Sequence, residues 1–167
     1  EATPEPFAAN ARPLSQGELH RELQELQLRA AAPEEPAVPL RDRVVEKIRE
    51  TGDTRLNAEQ QQTLDVVDRF FRSVVDSPKL SDYAQSRMRQ LEVPVLKVVM
   101  RDPEFFEDQD SPVHGVMNRL AQLGVKGGRL NPVVQRRVDE LIHRIATEFE
   151  QDTGVFEQTV GELDTLI

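Results

Sequence analysis

Leucine recurs at positions 19, 23 and 26 between runs of Glu, Gln and Arg. That spacing puts all three on one narrow stripe of a helix. Ser15 stands ahead of the stripe with Glu18 three residues later, a capping-box arrangement, so a helix is predicted over 15–29. A short helix follows over 40–50 with Val44, Val45 and Ile48 inward, ended by Gly52-Asp53. Asn57, with Gln60 three residues on, opens a longer helix to residue 76, whose apolar face is Leu64, Val67, Phe70, Phe71, Val74 and Val75. Ser77-Pro78 stops it. Residues 81–91 form the next, burying Tyr83, Met88 and Leu91, and Pro94 starts or kinks a piece to Arg101 that is apolar on most sides. A helix of that kind belongs in the middle of a bundle. Ser111-Pro112 and Asn131-Pro132 each read as a cap followed by proline at the first helical position, where a missing amide costs nothing. The first of these helices presents Val113, Val116, Met117, Leu120 and Leu123 and is predicted to end at Gly124 in a left-handed turn. The second presents Val134, Val138, Leu141, Ile142, Ile145 and Phe149, and a final helix after Gly154 presents Val155, Phe156, Val160, Leu163 and Leu166.

Between these elements the chain is punctuated by proline. Residues 1–13 read as a linker or arm, and 31–39, with Pro33, Pro36 and Pro39, as a second linker. Asp102-Pro103 breaks the stretch from Leu91 to Leu123, and Phe105-Phe106 offers an apolar anchor in the acidic connection. No alternating β-branched run bounded by Asn-Gly or Asp-Gly appears, and no internal repeat. The pattern predicts an all-α fold, an irregular multi-helix bundle of about seven to nine helices. Its expected organisation is an arm (1–13), an amphipathic helix (14–30), a Pro-rich linker (31–39) and a bundle domain (40–167).

Composition narrows the function. Hydrophobic residues make up 38% and charged residues 31%, with seven Phe, one Tyr and no Trp, so the core must be mostly aliphatic. There is no Cys, which excludes disulfides and thiolate metal sites. A net charge of −9 disfavours phosphate backbones and anionic membrane surfaces. No apolar run approaches the roughly 18 residues that would span a bilayer. The first residues are acidic and Pro-rich, unlike a signal peptide, and the chain starts at Glu1. An origin in a longer polypeptide is therefore expected, and the lack of Cys fits a reducing compartment such as the cytoplasm.

The candidate chemistry is sparse. His20, His114 and His143 have no second histidine at helical spacing. Glu140 and His143 resemble half of a di-metal carboxylate motif without its counterpart, and read as a solvated surface pair. Asp102, Glu104, Glu107, Asp108 and Asp110 lack the glycine and terminal glutamate of a calcium loop and instead favour the positive end of the helix that Ser111 opens. Lys126, Gly127, Gly128 and Arg129 precede a helix N-terminus and could cradle a phosphate, though they are not a P-loop. Lys97, within an apolar run, reads as a structural ion pair with Asp102 or a carboxylate on a neighbouring helix. No nucleophile elbow, dinucleotide fingerprint or acid/base pair is present, so no catalytic residue, cofactor or metal is assigned.

The order of pieces resembles a known family. Ser15-Gln16-Gly17-Glu18-Leu19 with Leu26-Gln27, and Leu64-Asp65-Val66-Val67 with Phe70-Phe71, look like its early helices. Its most specific part is similar to Gln90 through Val98 and to Asp102-Pro103-Glu104-Phe105-Phe106, followed by Ser111-Pro112 through Asn118-Arg119-Leu120-Ala121 and by Phe149 through Asp152 with Phe156. The family comprises large helical proteobacterial cytoplasmic proteins catalogued as a domain of unknown function. Some members carry the label thymidine phosphorylase, which no residue here supports. Where the family tends to have His-Pro-x-Arg, this chain has Ser111-Pro112-Val113-His114. The resemblance covers most of residues 14–167 and implies an intracellular helical segment of a longer protein. In some members a cyclic-dinucleotide-binding, barrel-like module follows at the C-terminal end.

The expected function is that of a non-catalytic, helical protein-interaction module in a bacterial regulatory or scaffold protein. Its partner is a protein or a second copy, with Leu19, Leu23 and Leu26 as the contact. The alternative is a phosphate- or nucleotide-binding domain using the loop 125–131.

Overall fold

A computed structural model describes residues 7–29, 38–102, 104, 108–125, 128–150 and 152–167. Two helices in it start side by side from a strand pair that the hydropathy pattern does not show. β1 (Arg12–Pro13) and β2 (Thr54–Arg55) pair in parallel, in register Arg12 with Thr54 and Pro13 with Arg55. Arg12 donates to the Asp53 carbonyl at 3.0 Å and Leu14 to that of Arg55 at 2.8 Å. Pro13 sits between these two donors, at the one position where a missing amide breaks nothing. Phe7, Ala11 and Leu14 are buried. The segment 7–14 thus contributes three side chains to the core.

Each strand leads within a few residues into a capped helix. α1 (Gln16–Arg29) follows β1, and there Ser15 Oγ accepts from Glu18 N at 3.2 Å while Glu18 Oε1 accepts from Ser15 N at 3.1 Å. α3 (Ala58–Val75) follows β2, and Asn57 and Gln60 exchange the same reciprocal pair at 2.7 and 2.9 Å. Two capping boxes satisfy amide donors that the helices themselves leave unpaired. Gln60 also donates to the Leu14 carbonyl at 3.2 Å, fastening one helix start to the other strand's exit.

Between them lies α2 (Leu40–Arg49), followed by a turn through Gly52, whose φ of +79° lies in the left-handed region that glycine enters without cost. Pro39 precedes α2 and has no side chain able to cap it. Asp68 of α3 does so from across the interface, accepting the Arg41 amide at 3.1 Å and the Arg72 guanidinium at 2.9 Å. Asp68 is 1% exposed. Asp68→Ala is expected to destabilise the domain by about 2–3 kcal/mol, since it removes a cap and leaves two donors without their charged acceptor. Asp68→Asn should lose less, because it retains an acceptor for the Arg41 amide. Urea denaturation of both variants checks the order.

α4 (Asp82–Gln90) and α5 (Glu92–Arg101) meet at Leu91 without a loop. Pro94 falls in the first turn of α5, where its missing donor is tolerated. Val95 and Leu96 are fully buried and Val93 and Val99 nearly so, so α5 is the central helix that its apolar pattern predicts. It packs against α1, α3 and α4. α6 (Pro112–Leu123), α7 (Pro132–Glu148) and α8 (Gly154–Asp164) complete eight helices among the described residues. α6 lies along α8, α7 packs on α8, α4 and α1, and Arg137 and Arg144 of α7 both bind Glu162 of α8. The architecture is the all-α, multi-helix bundle that the sequence predicts.

Ser111 and Asn131 cap α6 and α7 as expected, each followed by proline. The end of α6 differs from expectation. Gly124 has φ −105°, not a left-handed value. Its glycine is required by proximity: a Cβ there would lie 2.2 Å from the Ala84 Cβ of α4. The Gly124 carbonyl accepts the Ser81 amide at 2.8 Å, and Leu80 and Val125 form an antiparallel bridge. Pro103, Phe105, Phe106 and Glu107, which carry the predicted chain break and aromatic anchor, lie outside the described residues, as do residues 30–37 of the expected Pro-rich linker.

Candidate functional site

The C-terminal end of α7 leaves carbonyl oxygens without partners inside the helix. Neighbouring helices supply them. Gln27 of α1 donates to the Phe149 carbonyl at 2.8 Å and the Ala146 carbonyl at 3.2 Å. Its own oxygen accepts from Lys97 Nζ of α5 at 3.0 Å. The ammonium also donates to the Gln24 side chain and, at 3.3 Å, to the Phe149 carbonyl, and lies 4.8 Å from the centre of the Phe149 ring. A cation is well placed at this negative helix end. Lys97 is 1% exposed and Gln27 2%.

These partners correct the expected ion pair. Among the described residues, Lys97 has neutral oxygens as acceptors, because α5 directs it at a helix terminus, where carbonyls cluster, and away from Asp102. Burial pulls its ammonium down to about 8, with Glu150 acting weakly in the other direction.

A cavity of about 100 Å³ opens beside this lysine, between the first turns of α1 and α3 and the last turn of α5. His20, Lys97 and Arg101 line it, with Gln16, Gln60, Thr63 and Glu59. Gln16 donates across one edge to the Met100 carbonyl at 3.4 Å. The His20 imidazole is pushed below its ordinary value, first by burial and then by the charges of Lys97 and Arg101, while Glu150 opposes. Residue-by-residue reading treats His20 as isolated. The available signal is Lys97 and Arg101, two cations one turn apart at the end of an otherwise apolar helix.

Other buried charges are absorbed by the fold. Lys47 of α2 pairs with Glu22 of α1 at 2.6 Å. Arg43 pairs with Glu92 of α5, whose carboxyl burial pushes up to about 7 against the pull of Arg43. Tyr83 and Arg87 of α4 both reach Asp139 of α7, at 2.6 and 2.8 Å.

The residues singled out from sequence fall in different places. Leu19, Leu23 and Leu26 are 2, 1 and 5% exposed and belong to the core cluster. Their helix packs against α5, α2 and α7, so a partner could meet this stripe only by displacing α1. The hydropathy stripe shows that these leucines want cover and not which surface supplies it. α1 accordingly shares one core with the bundle from residue 40 onward.

In the loop 125–131, Lys126 and Gly127 lie outside the described residues. Gly128 donates to the Val125 carbonyl at 3.1 Å, Arg129 is exposed, and Asn131 accepts the Val133 amide at 2.8 Å. His143 is exposed and Glu140 pairs with Arg137 at 3.0 Å. Asp102 and Asp108 accept the amides of Glu104 and Asp110 in local turns. Among the described residues no group of three or more His, Asp or Glu is placed to hold a metal, and no helix is long and apolar enough to cross a membrane.

One surface feature escaped the sequence reading because it joins distant segments. An open groove of about 910 Å³ runs between the end of α3 and the end of α6, lined by Val74, Pro78, Leu80, Ala121 and Val125, with Lys79 beside them. Val125 is 53% exposed.

Fold and site together define an all-α domain whose buried polar groups serve to cap and join its own helices. A family model described as the second domain of a protein of unknown function (DUF1631) matches residues 13–152, and the chain belongs to that family. No curated protein and no solved structure gives a match.

Proposed function

We propose that this domain is a non-catalytic interaction module of a larger bacterial cytoplasmic protein with a regulatory or scaffold role. The observation that supports it most directly is the apolar groove between α3 and α6. It is an open depression lined by aliphatic and proline side chains together with Ser73, Ser77, Asn118 and Gln122, whereas the buried charges described above are taken up in internal contacts. Grooves of this kind accept an apolar helix face or an extended segment. The family description places this domain second in its proteins, so a segment of an adjacent domain is the favoured occupant. A link to cyclic-dinucleotide signalling rests on the family resemblance alone.

A photo-crosslinking side chain at Val125, introduced into the full-length protein in its own cell, tests this reading. Val66 and Val133, exposed elsewhere, serve as controls. A crosslinked peptide joining Val125 to a segment of an adjacent domain, identified by mass spectrometry, is expected at Val125 and not at the controls, and Ala121→Arg should abolish it. Labelling at Val125 no greater than at the controls would overturn the proposal.

A further inference from the structure

We propose that the face of α6 and α7 covered by α8 is a receptor for an acidic amphipathic helix, and that α8 occupies it as a strap that a second helix of the same pattern can replace. This face is distinct from the groove between α3 and α6. Gly115 and Arg119 of α6 meet α8, whereas Asn118, Ala121 and Gln122 line the groove. The family match ends at residue 152 and α8 begins at Gly154. The occupant therefore lies outside the matched segment, while both helices that receive it lie within.

The receptor has an apolar centre and a cationic rim. Phe156, Thr159 and Leu163 of α8 are fully buried, with the Phe156 ring edge-on to Phe149 at 5.1 Å. Gly115 leaves a notch for Val160, since a Cβ there would lie 2.9 Å from Val160 Cγ2. Around this centre, Arg119 of α6 holds Asp164 through two nitrogens at 2.6 and 3.3 Å, and Arg137 and Arg144 of α7 both hold Glu162. Three cations from two helices thus read two carboxylates. The arginine side chains are 29–38% exposed, so these pairs select an acidic partner more than they tighten it. The apolar anchors carry the affinity.

α8 does little to hold itself. It has 11 residues, fewer than the roughly 12–15 below which isolated helices are marginal in water. It carries Glu157, Glu162 and Asp164 and no basic residue, and the last two crowd its negative end, which the helix dipole disfavours. Thr153 gives no side-chain cap, and Asp152 makes one local bond to the Gly154 amide at 2.8 Å. Gly161 weakens the helix although a Cβ there would meet nothing within 4 Å, so packing does not require it. A segment that is helical because its receptor makes it so gives up its order on leaving, which lowers its net affinity and makes it replaceable.

The test cuts the strap in a folded chain. A protease recognition sequence is inserted between Gln151 and Asp152 of the whole chain and cleaved after folding, and a fluorescent peptide of residues 152–167 is added. The cut chain is expected to keep its helical circular dichroism, to retain its own α8 and to exchange it for the peptide within hours. The peptide should bind the uncut chain about tenfold more weakly or worse, because tethered α8 competes at an effective concentration of about millimolar. A peptide carrying Glu162→Gln and Asp164→Asn should bind about fivefold more weakly than its parent, the scale of rim ion pairs, and lose the parent's salt dependence. Collapse of the helical signal on cutting would show α8 to be an inseparable part of the core and overturn the proposal. So would a peptide that neither binds nor exchanges within a day, or equal binding by the neutralised peptide.

Discussion

Lys97→Ala is expected to cost the domain about 3–5 kcal/mol, among the largest effects of any single change to it. Two losses add. Truncation leaves a void among fully buried neighbours on the central helix, and it strips the Gln24 and Gln27 oxygens of their donor. The contact over the Phe149 ring goes as well, worth about 1–2 kcal/mol for a desolvated cation. Against this stands the cost of keeping an ammonium out of water, visible in its lowered value of about 8. Lys97→Met keeps the stem and removes that cost, so it should recover much of the loss. The two variants also separate by pH. The folded form of Lys97 releases its proton near 8, the unfolded form near the ordinary 10.5. Between those values the unfolded state binds more protons, so stability contributed by this group rises with pH. The wild-type chain should gain on Lys97→Met from pH 8 to 10 and run parallel to it below pH 7. Guanidinium melts at pH 7, 8, 9 and 10 read both quantities. A loss under about 1 kcal/mol in Lys97→Ala would show that the α7 terminus does not depend on this cation.

Gly124→Ala is expected to destabilise by about 3 kcal/mol, at the upper end of overpacking costs. The sign is not obvious from the backbone. At φ −105° alanine is unstrained and would stiffen the unfolded chain, a gain of about 0.4–1 kcal/mol. The clash decides it. Carbon atoms meet at about 3.5–4.0 Å, whereas the new methyl would lie 2.2 Å from the Ala84 Cβ, a fully buried position on α4. The two helices must separate, which also stretches the Ser81–Gly124 hydrogen bond. A second change isolates the cause. Ala84→Gly alone should cost about 1 kcal/mol or more, as a glycine in the first turn of α4 that also gives up a buried methyl, yet added to Gly124→Ala it should restore stability. If the double variant is less stable than Gly124→Ala alone, the contact is not the reason for the glycine.

How much of this was legible in the chain depends on range. Ser15 with Glu18, Asn57 with Gln60, Ser111-Pro112 and Asn131-Pro132 mark helix starts because each acts over three residues or fewer. The apolar faces of α5 and α7 follow from periodicity alone. Asp68, Lys47 and Lys97 were not legible as the structure uses them, because each is stabilised by a helix distant in sequence. The leucine stripe of α1 reads the same whether its cover is another chain or the helices α2, α5 and α7. Gly124 carries a common helix-ending signal, while its actual reason is a close neighbour forty residues away, roughly, on α4. The groove is assembled from two separate segments and the cavity from three, and no local motif announces either.

The two-residue pair of β1 and β2 has a mechanical consequence. The hydrogen bonds of this pair lie across the strands, so tension on the chain entering at Phe7 loads them in shear and is delivered to the turn between α2 and α3. Gln60 and the Leu14 carbonyl pass part of that load to the start of α3, at the wall of the cavity. A pull or a twist on the chain ahead of β1 would therefore be carried to the start of α3 and to the cavity wall that Gln60 forms there.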